Sequence, residues 1–193
     1  VVEIHEGRIT NVRPARPGEE LLELGEVALI PGLVNTHTHL EFSTLVQPIE
    51  APSFTDWIRQ LVSYRSEHLA TSEQRRAAIR QGIAESISSG VTTIGEIASD
   101  SQSGQAYASL PAPSVVMREV IGTAAADEQD RLAMVEQFHS TVPTDASWRP
   151  AISPHAPYTV RCSLLQQLVE FSTQHQLLSA MHLAESTDEL QLL

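Results

Sequence analysis

His37 and His39 are the residues whose type and spacing point most directly to chemistry. One residue separates them, and an apolar stretch around Leu33-Val34 precedes them. On a strand, successive side chains alternate faces, so the two imidazoles project to the same side. A lone strand histidine is usually structural, but two in alternation can bind one metal ion. A third imidazole, His182, closes a later apolar run, Leu177-Leu178-Ser179-Ala180-Met181. Three protein ligands leave one position open for water. Glu185 follows three residues on, and a carboxylate there can move protons on and off that water and a substrate. The other reading of Glu185 is a first-turn carboxylate on a helix that begins near Ser186. In Ser153-Pro154-His155-Ala156-Pro157-Tyr158-Thr159, two prolines fix a loop around His155. Its ring either bonds a substrate ring atom or carbonyl, or bonds the loop backbone as a structural histidine.

The elements that must carry these residues alternate in type. Short β-branched or apolar runs predict strands at 32–36, 91–96, 114–120, 148–153 and 177–182. The first, Gly32-Leu33-Val34-Asn35-Thr36, reads as a buried strand. Helical spacing predicts helices over Asp56–Ala70, from a Thr71 or Ser72 cap to a stop at Gly90, near Ser103–Ser109, over Asp127–His139 and over Ser163–His175. The face of the second carries Ala78, Ile79, Gly82, Ile83, Ser86 and Ile87. Alternation of this kind predicts a parallel sheet with helices outside it. His37, His39, Glu96, Arg118, His155 and His182 all fall at strand C-terminal ends, where a (β/α)8 TIM barrel places its active site. Such a barrel has eight strands and five are present, so one reading is an α/β fold, a barrel truncated after about five strands. A five-strand open doubly wound sheet would give the same alternation. Before Pro31 the pattern is β only: Val1–His5, a turn at Glu6-Gly7, Arg8–Val12, then Leu21–Leu24 and Glu26–Ile30. Residues 1–31 and 32–193 are thus expected to be separate domains.

The composition narrows the function classes. Twelve basic and 24 acidic residues give a net charge of −12, which argues against nucleic acid or an anionic membrane as the main partner. Cys162 is the single cysteine, which rules out an internal disulfide and fits a reducing, cytoplasmic compartment. No apolar run approaches the roughly 20 residues of a membrane span. The chain opens on Val1-Val2-Glu3-Ile4 without Met and stops at Glu189-Leu190-Gln191-Leu192-Leu193, a helix-like run. Both ends lead us to expect a piece of a longer protein.

Three motifs in order, Pro31-Gly32-Leu33-Val34-Asn35-Thr36-His37-Thr38-His39-Leu40-Glu41, Ser153-Pro154-His155-Ala156-Pro157-Tyr158 and His182-Leu183-Ala184-Glu185, resemble the amidohydrolase superfamily. The resemblance is to its branch of cytosine, guanine and S-adenosylhomocysteine/5′-methylthioadenosine deaminases and triazine hydrolases. It implies a (β/α)8 barrel joined to a small β-sandwich, with residues 1–31 as the N-terminal part of the sandwich. It implies His37, His39 and His182 as ligands of one divalent metal, zinc first and iron(II) next. Glu185 becomes the acid/base carboxylate, and His155 and Arg118 become substrate-binding residues. For Arg118, a surface or ion-pair role is the alternative. Glu41 takes no firm role. Phe54-Thr55-Asp56-Trp57-Ile58 resembles the pocket-lining stretch of aminodeoxyfutalosine deaminases, although an amphipathic helix accounts for the same residues. The implied activity is hydrolytic deamination of a nucleoside- or purine-like heterocycle. The alternatives are a triazine-type dechlorinating hydrolase, or an inactive fragment or pseudoenzyme. The implied partner is a small heterocyclic substrate, with a homodimer as the implied assembly. A histidine from strand six and an aspartate from strand eight complete the family's site, and neither falls within these 193 residues.

Overall fold

The computed structural model describes residues 1–100 and 104–192. The chain divides into two compact units, Val1–Pro31 and Gly32–Leu193.

The first unit is built on an antiparallel pair, β1 (Val2–His5) and β2 (Arg8–Val12), in which Ile4 faces Ile9 and His5 faces Arg8. Glu6 and Gly7 link them, both at positive φ (49° and 73°), the backbone that a two-residue hairpin turn requires. Arg13 pairs with Glu3 at 2.6 Å and with Glu19 at 2.5 Å. The strands expected over Leu21–Leu24 and Glu26–Ile30 do not form. A strand needs a neighbour for its main-chain groups, and no strand among the described residues pairs with either segment.

The second unit holds five parallel strands: β3 (Leu33–Thr38), β4 (Val91–Ala98), β5 (Ser114–Val120), β6 (Trp148–Pro154) and β7 (Leu178–Ser179). Their spatial order is the sequence order, β3-β4-β5-β6-β7. A doubly wound sheet reverses its order at a switch point, and this one does not. The chain advances one strand at a time in one direction, as in a (β/α)8 barrel. The open alternative from the sequence is thereby excluded.

The connections carry α1 (Phe54–His68), α2 (Ser72–Ser88), α3 (Glu128–Ser140) and α4 (Cys162–His175), and a last short helix, α5 (Thr187–Leu192), follows β7. Thr71 caps α2 through a reciprocal capping box with Gln74, which satisfies two otherwise unpaired amide groups. Gly90, at φ 85°, turns the chain out of α2. The buried face of α2 is Ala78, Ile79, Gly82 and Ile83. Ile79 and Ile83 pack in one core cluster with Ile94, Val116 and Trp148. Ile87, expected on that face, is exposed. The helix expected near Ser103–Ser109 is a 3-10 helix over Gly104–Ser109, and Ser103 lies outside the described residues.

Two strands differ from expectation. β3 is not buried: Leu33 is 50% and Val34 60% exposed, because β3 is the edge of the sheet and has only β4 beside it. β7 is two residues long, although its extended course continues: Ala180 N–H donates to Ile152 O (3.1 Å) and His182 N–H donates to His155 O (2.8 Å). The β3–β4 contact is close. A Cβ on Gly95 would lie 2.4 Å from the Thr36 carbonyl oxygen, so this position needs glycine.

Candidate active site

The C-terminal ends of β3 and β7 bring three imidazoles together. His182 Nε2 lies 3.1 Å from His37 Nε2 and 3.3 Å from His39 Nε2. Two nitrogens bound to one zinc at about 2.0–2.1 Å and at the tetrahedral angle are about 3.3 Å apart, so the spacing suits a shared metal. The protonation of His182 is fixed by its other nitrogen. Nδ1 is 3.0 Å from the carbonyl oxygen of His155, which can only accept, so Nδ1 carries the proton and Nε2 presents a lone pair. Burial, and then the neighbouring histidines, push the His39 pKa down to about 4. Burial, the largest cause, also lowers His37. Both effects favour the neutral, ligating form. His37, His39 and His182 form one of two histidine or carboxylate groups, among the described residues, whose ligand atoms all lie within 4.8 Å of one another. The donor set therefore fits a divalent metal with imidazole preference.

Buried side chains hold this cluster from behind. Leu40 N–H, directly after His39, donates to Glu96 Oε2 at 2.9 Å, and Tyr107 Oη donates to Glu96 Oε1 at 3.2 Å. Burial raises the Glu96 carboxyl well above its usual range. Glu41 is 4% exposed. Its carboxylate accepts from Arg65 Nε at 3.2 Å and from the Ser99 hydroxyl. It ties the loop after β3 to α1 and to the end of β4, so its role here is structural bracing.

Glu185 is exposed just beyond His182, and its charge acts on both His37 and His155. Tyr158 Oη donates to Glu185 Oε2 at 3.3 Å. Glu185 N–H donates to Glu189 Oε2 at 2.7 Å, while Glu189 N–H donates to Ser186 Oγ at 3.2 Å. Ala184 sits at φ 59°, a left-handed backbone uncommon for alanine. Glu185 thus precedes α5 and is held by Glu189, rather than capping the helix itself. His155 Nδ1 lies 2.7 Å from Thr159 Oγ1. Its carbonyl receives both donors of His182, so the proline-bounded loop orients a neighbouring ring as well as its own.

Arg118 is brought to the cavity wall, not into the histidine cluster. Its guanidinium Nη1 donates to Ala98 O (2.8 Å) and to Glu119 O (3.0 Å), and Nη2 contacts Met134 Sδ (2.8 Å). Its Nε is buried and without a hydrogen-bond partner among the described residues. Burial lowers the Arg118 pKa. Arg131 lines the same cavity, and its buried Nε has no hydrogen-bond partner among the described residues.

This cavity has a volume of about 820 Å³ and contains His39, His155, His182 and Glu185 on its polar side. Phe54, Trp57, Ile58 and Leu61 of α1 form an apolar wall. None of the α1 residues is buried, so its apolar stripe faces this space instead of the core. Glu119, Arg131 and Glu189 also line the cavity, although they belong to none of the sequence motifs. For Glu119 there was a signal: a charged residue next to Arg118 inside an otherwise apolar strand, at the end where barrels place chemistry.

Residues 28–192 match the amidohydrolase family, and the chain belongs to it. It is 29% identical over 163 residues to the aminodeoxyfutalosine deaminase of Nitratiruptor sp., covering 83% of this chain and 40% of that protein. It is 28% identical over 210 residues to the 5-methylthioadenosine/S-adenosylhomocysteine deaminase of Shouchella clausii, covering 98% and 46%. The chain therefore spans less than half the length of the curated relatives it matches. Among solved structures, an adenosine deaminase from Xanthomonas campestris with bound zinc superposes with a TM-score of 0.72 at 22% identity, covering 83% of this chain and 38% of that one. At that identity the likeness shows the fold.

Proposed function

We propose that the protein is a metal-dependent aminohydrolase that removes an amino group from a nucleoside- or purine-like heterocycle as ammonia. The convergence of three imidazole nitrogens at 3.1–3.3 Å beside an exposed carboxylate carries this reading. Both curated relatives named above are deaminases, which favours ammonia over chloride as the leaving group. His37, His39 and His182 hold one divalent metal, zinc by their donor chemistry. When bound, it supplies the Lewis acidity that makes a water molecule nucleophilic near neutral pH.

The protein's own groups do the rest. The His155 carbonyl keeps His182 in the ligating tautomer. Glu185 Oε1 carries a proton to the leaving nitrogen, while Tyr158 and Glu189 hold its other oxygen and its backbone. Phe54, Trp57 and Ile58 cover one face of the heterocycle and exclude water. His155 and Arg118 Nε bind the substrate. No helix among the described residues is long and apolar enough to cross a membrane. A cytoplasmic location belongs to the same proposal and rests on the lone, free Cys162.

Incubating the whole, zinc-loaded protein with adenosine, 5′-methylthioadenosine, guanine and a chlorinated triazine tests the reading. Ammonia from a purine or nucleoside supports it. Chloride release alone, or no product from any of the four, overturns it.

A further inference from the structure

Glu119 is a carboxylate of the cavity wall that the scheme above leaves unused. It sits at the end of β5, opposite Ser153 of β6. A carboxylate oxygen of Glu119 and one ring nitrogen each of His155 and His182 all lie within 4.8 Å of one another. Its Oε1 is buried and has no hydrogen-bond partner among the described residues. Arg118, next in sequence, gives the carboxylate no hydrogen bond: that guanidinium is turned to main-chain carbonyls and to Met134. A buried carboxylate oxygen with no donor is costly. It persists most readily where a ligand supplies the donor.

Two ligands have the right chemistry, a cation or a neutral donor. The cation would have to share His182. That ring's Nε2 already converges with His37 and His39, and its Nδ1 proton is given to the His155 carbonyl. No lone pair of His182 remains for a second metal. The neutral donor has no such conflict.

We infer that Glu119 is a specificity residue, whose free carboxylate oxygen accepts a hydrogen bond from an O–H or N–H group of the bound heterocyclic substrate. This rests on the aminohydrolase reading for the class of substrate. The donor is either a sugar hydroxyl or the exocyclic amine, and the same acceptor serves both. A substrate without that donor leaves the buried oxygen unpaired and is rejected, which is discrimination by hydrogen bond rather than by size.

Calorimetric binding tests this without any need for turnover. The probes are adenosine, 2′,3′-dideoxyadenosine, which lacks the 2′- and 3′-hydroxyls, 5′-deoxyadenosine, which lacks the 5′-hydroxyl, and purine riboside, which lacks the amine. Each is titrated into the whole, zinc-loaded protein carrying Glu185→Gln to stop turnover, with Glu119 as in the wild type, Glu119→Ala or Glu119→Gln; metal content and melting temperature are measured on all three, and ammonia release on the protein with Glu185 intact. We expect Glu119→Ala to weaken adenosine binding about 10- to 100-fold. It should weaken the analogue lacking the contacted donor by less than about twofold, and that analogue identifies the source. Glu119→Gln keeps an acceptor and should recover part of the loss. Equal weakening of all four probes, no weakening of any, no binding of any to the protein with Glu119 intact, or loss of one metal equivalent in Glu119→Ala overturns the inference. If the binding pattern holds but no ammonia is released, the aminohydrolase reading alone falls.

Discussion

The side chain of His182 donates through Nδ1 to the carbonyl oxygen of His155 at 3.0 Å, and the backbone N–H of His182 donates to the same oxygen at 2.8 Å. One carbonyl in the loop after β6 thus fixes both the backbone and the ring of the residue after β7. The proline-bounded loop acts on the metal site through this oxygen, and the tautomer that exposes Nε2 follows from it.

Removing that ring should remove the metal. His182→Ala in the whole protein is expected to lower zinc affinity by more than about 100-fold, leaving His37 and His39 as a pair. Metal analysis after dialysis against a weak chelator checks this. Retention of one zinc per chain would contradict the ligand assignment.

Glu185→Gln keeps the size of the side chain and the Tyr158 contact but cannot carry a proton. The expected outcome is a kcat reduced about 10²- to 10⁴-fold with metal content unchanged. Steady-state rates together with metal analysis separate this from a folding defect.

The depressed His39 pKa has a pH signature in the metal-free protein. The unfolded chain takes up a proton on this ring near its ordinary value of 6.5, whereas the folded state does so only near 4. Between those values the unfolded state binds more protons, so stability is full above about pH 6.5 and falls as pH drops towards 4. Urea unfolding of metal-free protein at pH 7.5, 6, 5 and 4.5 should show this decline. A His39→Gln variant should show a shallower one.

Gly95 stands where β3 and β4 approach closely. Gly95→Ala places a methyl about where the Thr36 carbonyl oxygen already lies, and should cost about 1–3 kcal/mol through strand displacement. The midpoint of denaturant unfolding measures it. Since β3 leads into His37, zinc affinity should weaken in the same variant.

Much of this protein is legible in its sequence because the relevant signals are local. Strand–helix alternation, the Thr71 cap and the Gly90 stop follow from backbone preferences and apolar spacing that each segment carries itself. The alternation of His37 and His39 is equally local, and two rings two residues apart on a strand need no tertiary information to share a side. The failures are non-local. Leu21–Leu24 and Glu26–Ile30 have strand-like composition but no partner, and Leu33-Val34 has the composition of a buried strand but lies at a sheet edge. Composition reports what a segment can do, whereas pairing and burial depend on what stands beside it.

The sequence by itself determined the chemistry available: three imidazoles, a carboxylate and a rigid loop, each at the end of a strand. Only the tertiary structure decided the strand order, and with it a one-directional sheet instead of a doubly wound one. It also decided the 3.1 Å and 3.3 Å approaches across about 145 residues of chain, the tautomer of His182, and the use of Arg118. An arginine at a strand end reads from sequence as a free cation. The fold turns its guanidinium onto the Ala98 and Glu119 carbonyls, and leaves the next residue, Glu119, with a buried oxygen that no donor among the described residues reaches. Which polar groups are spent on the protein and which are left for a ligand is settled by contacts between distant segments, and no single segment encodes them.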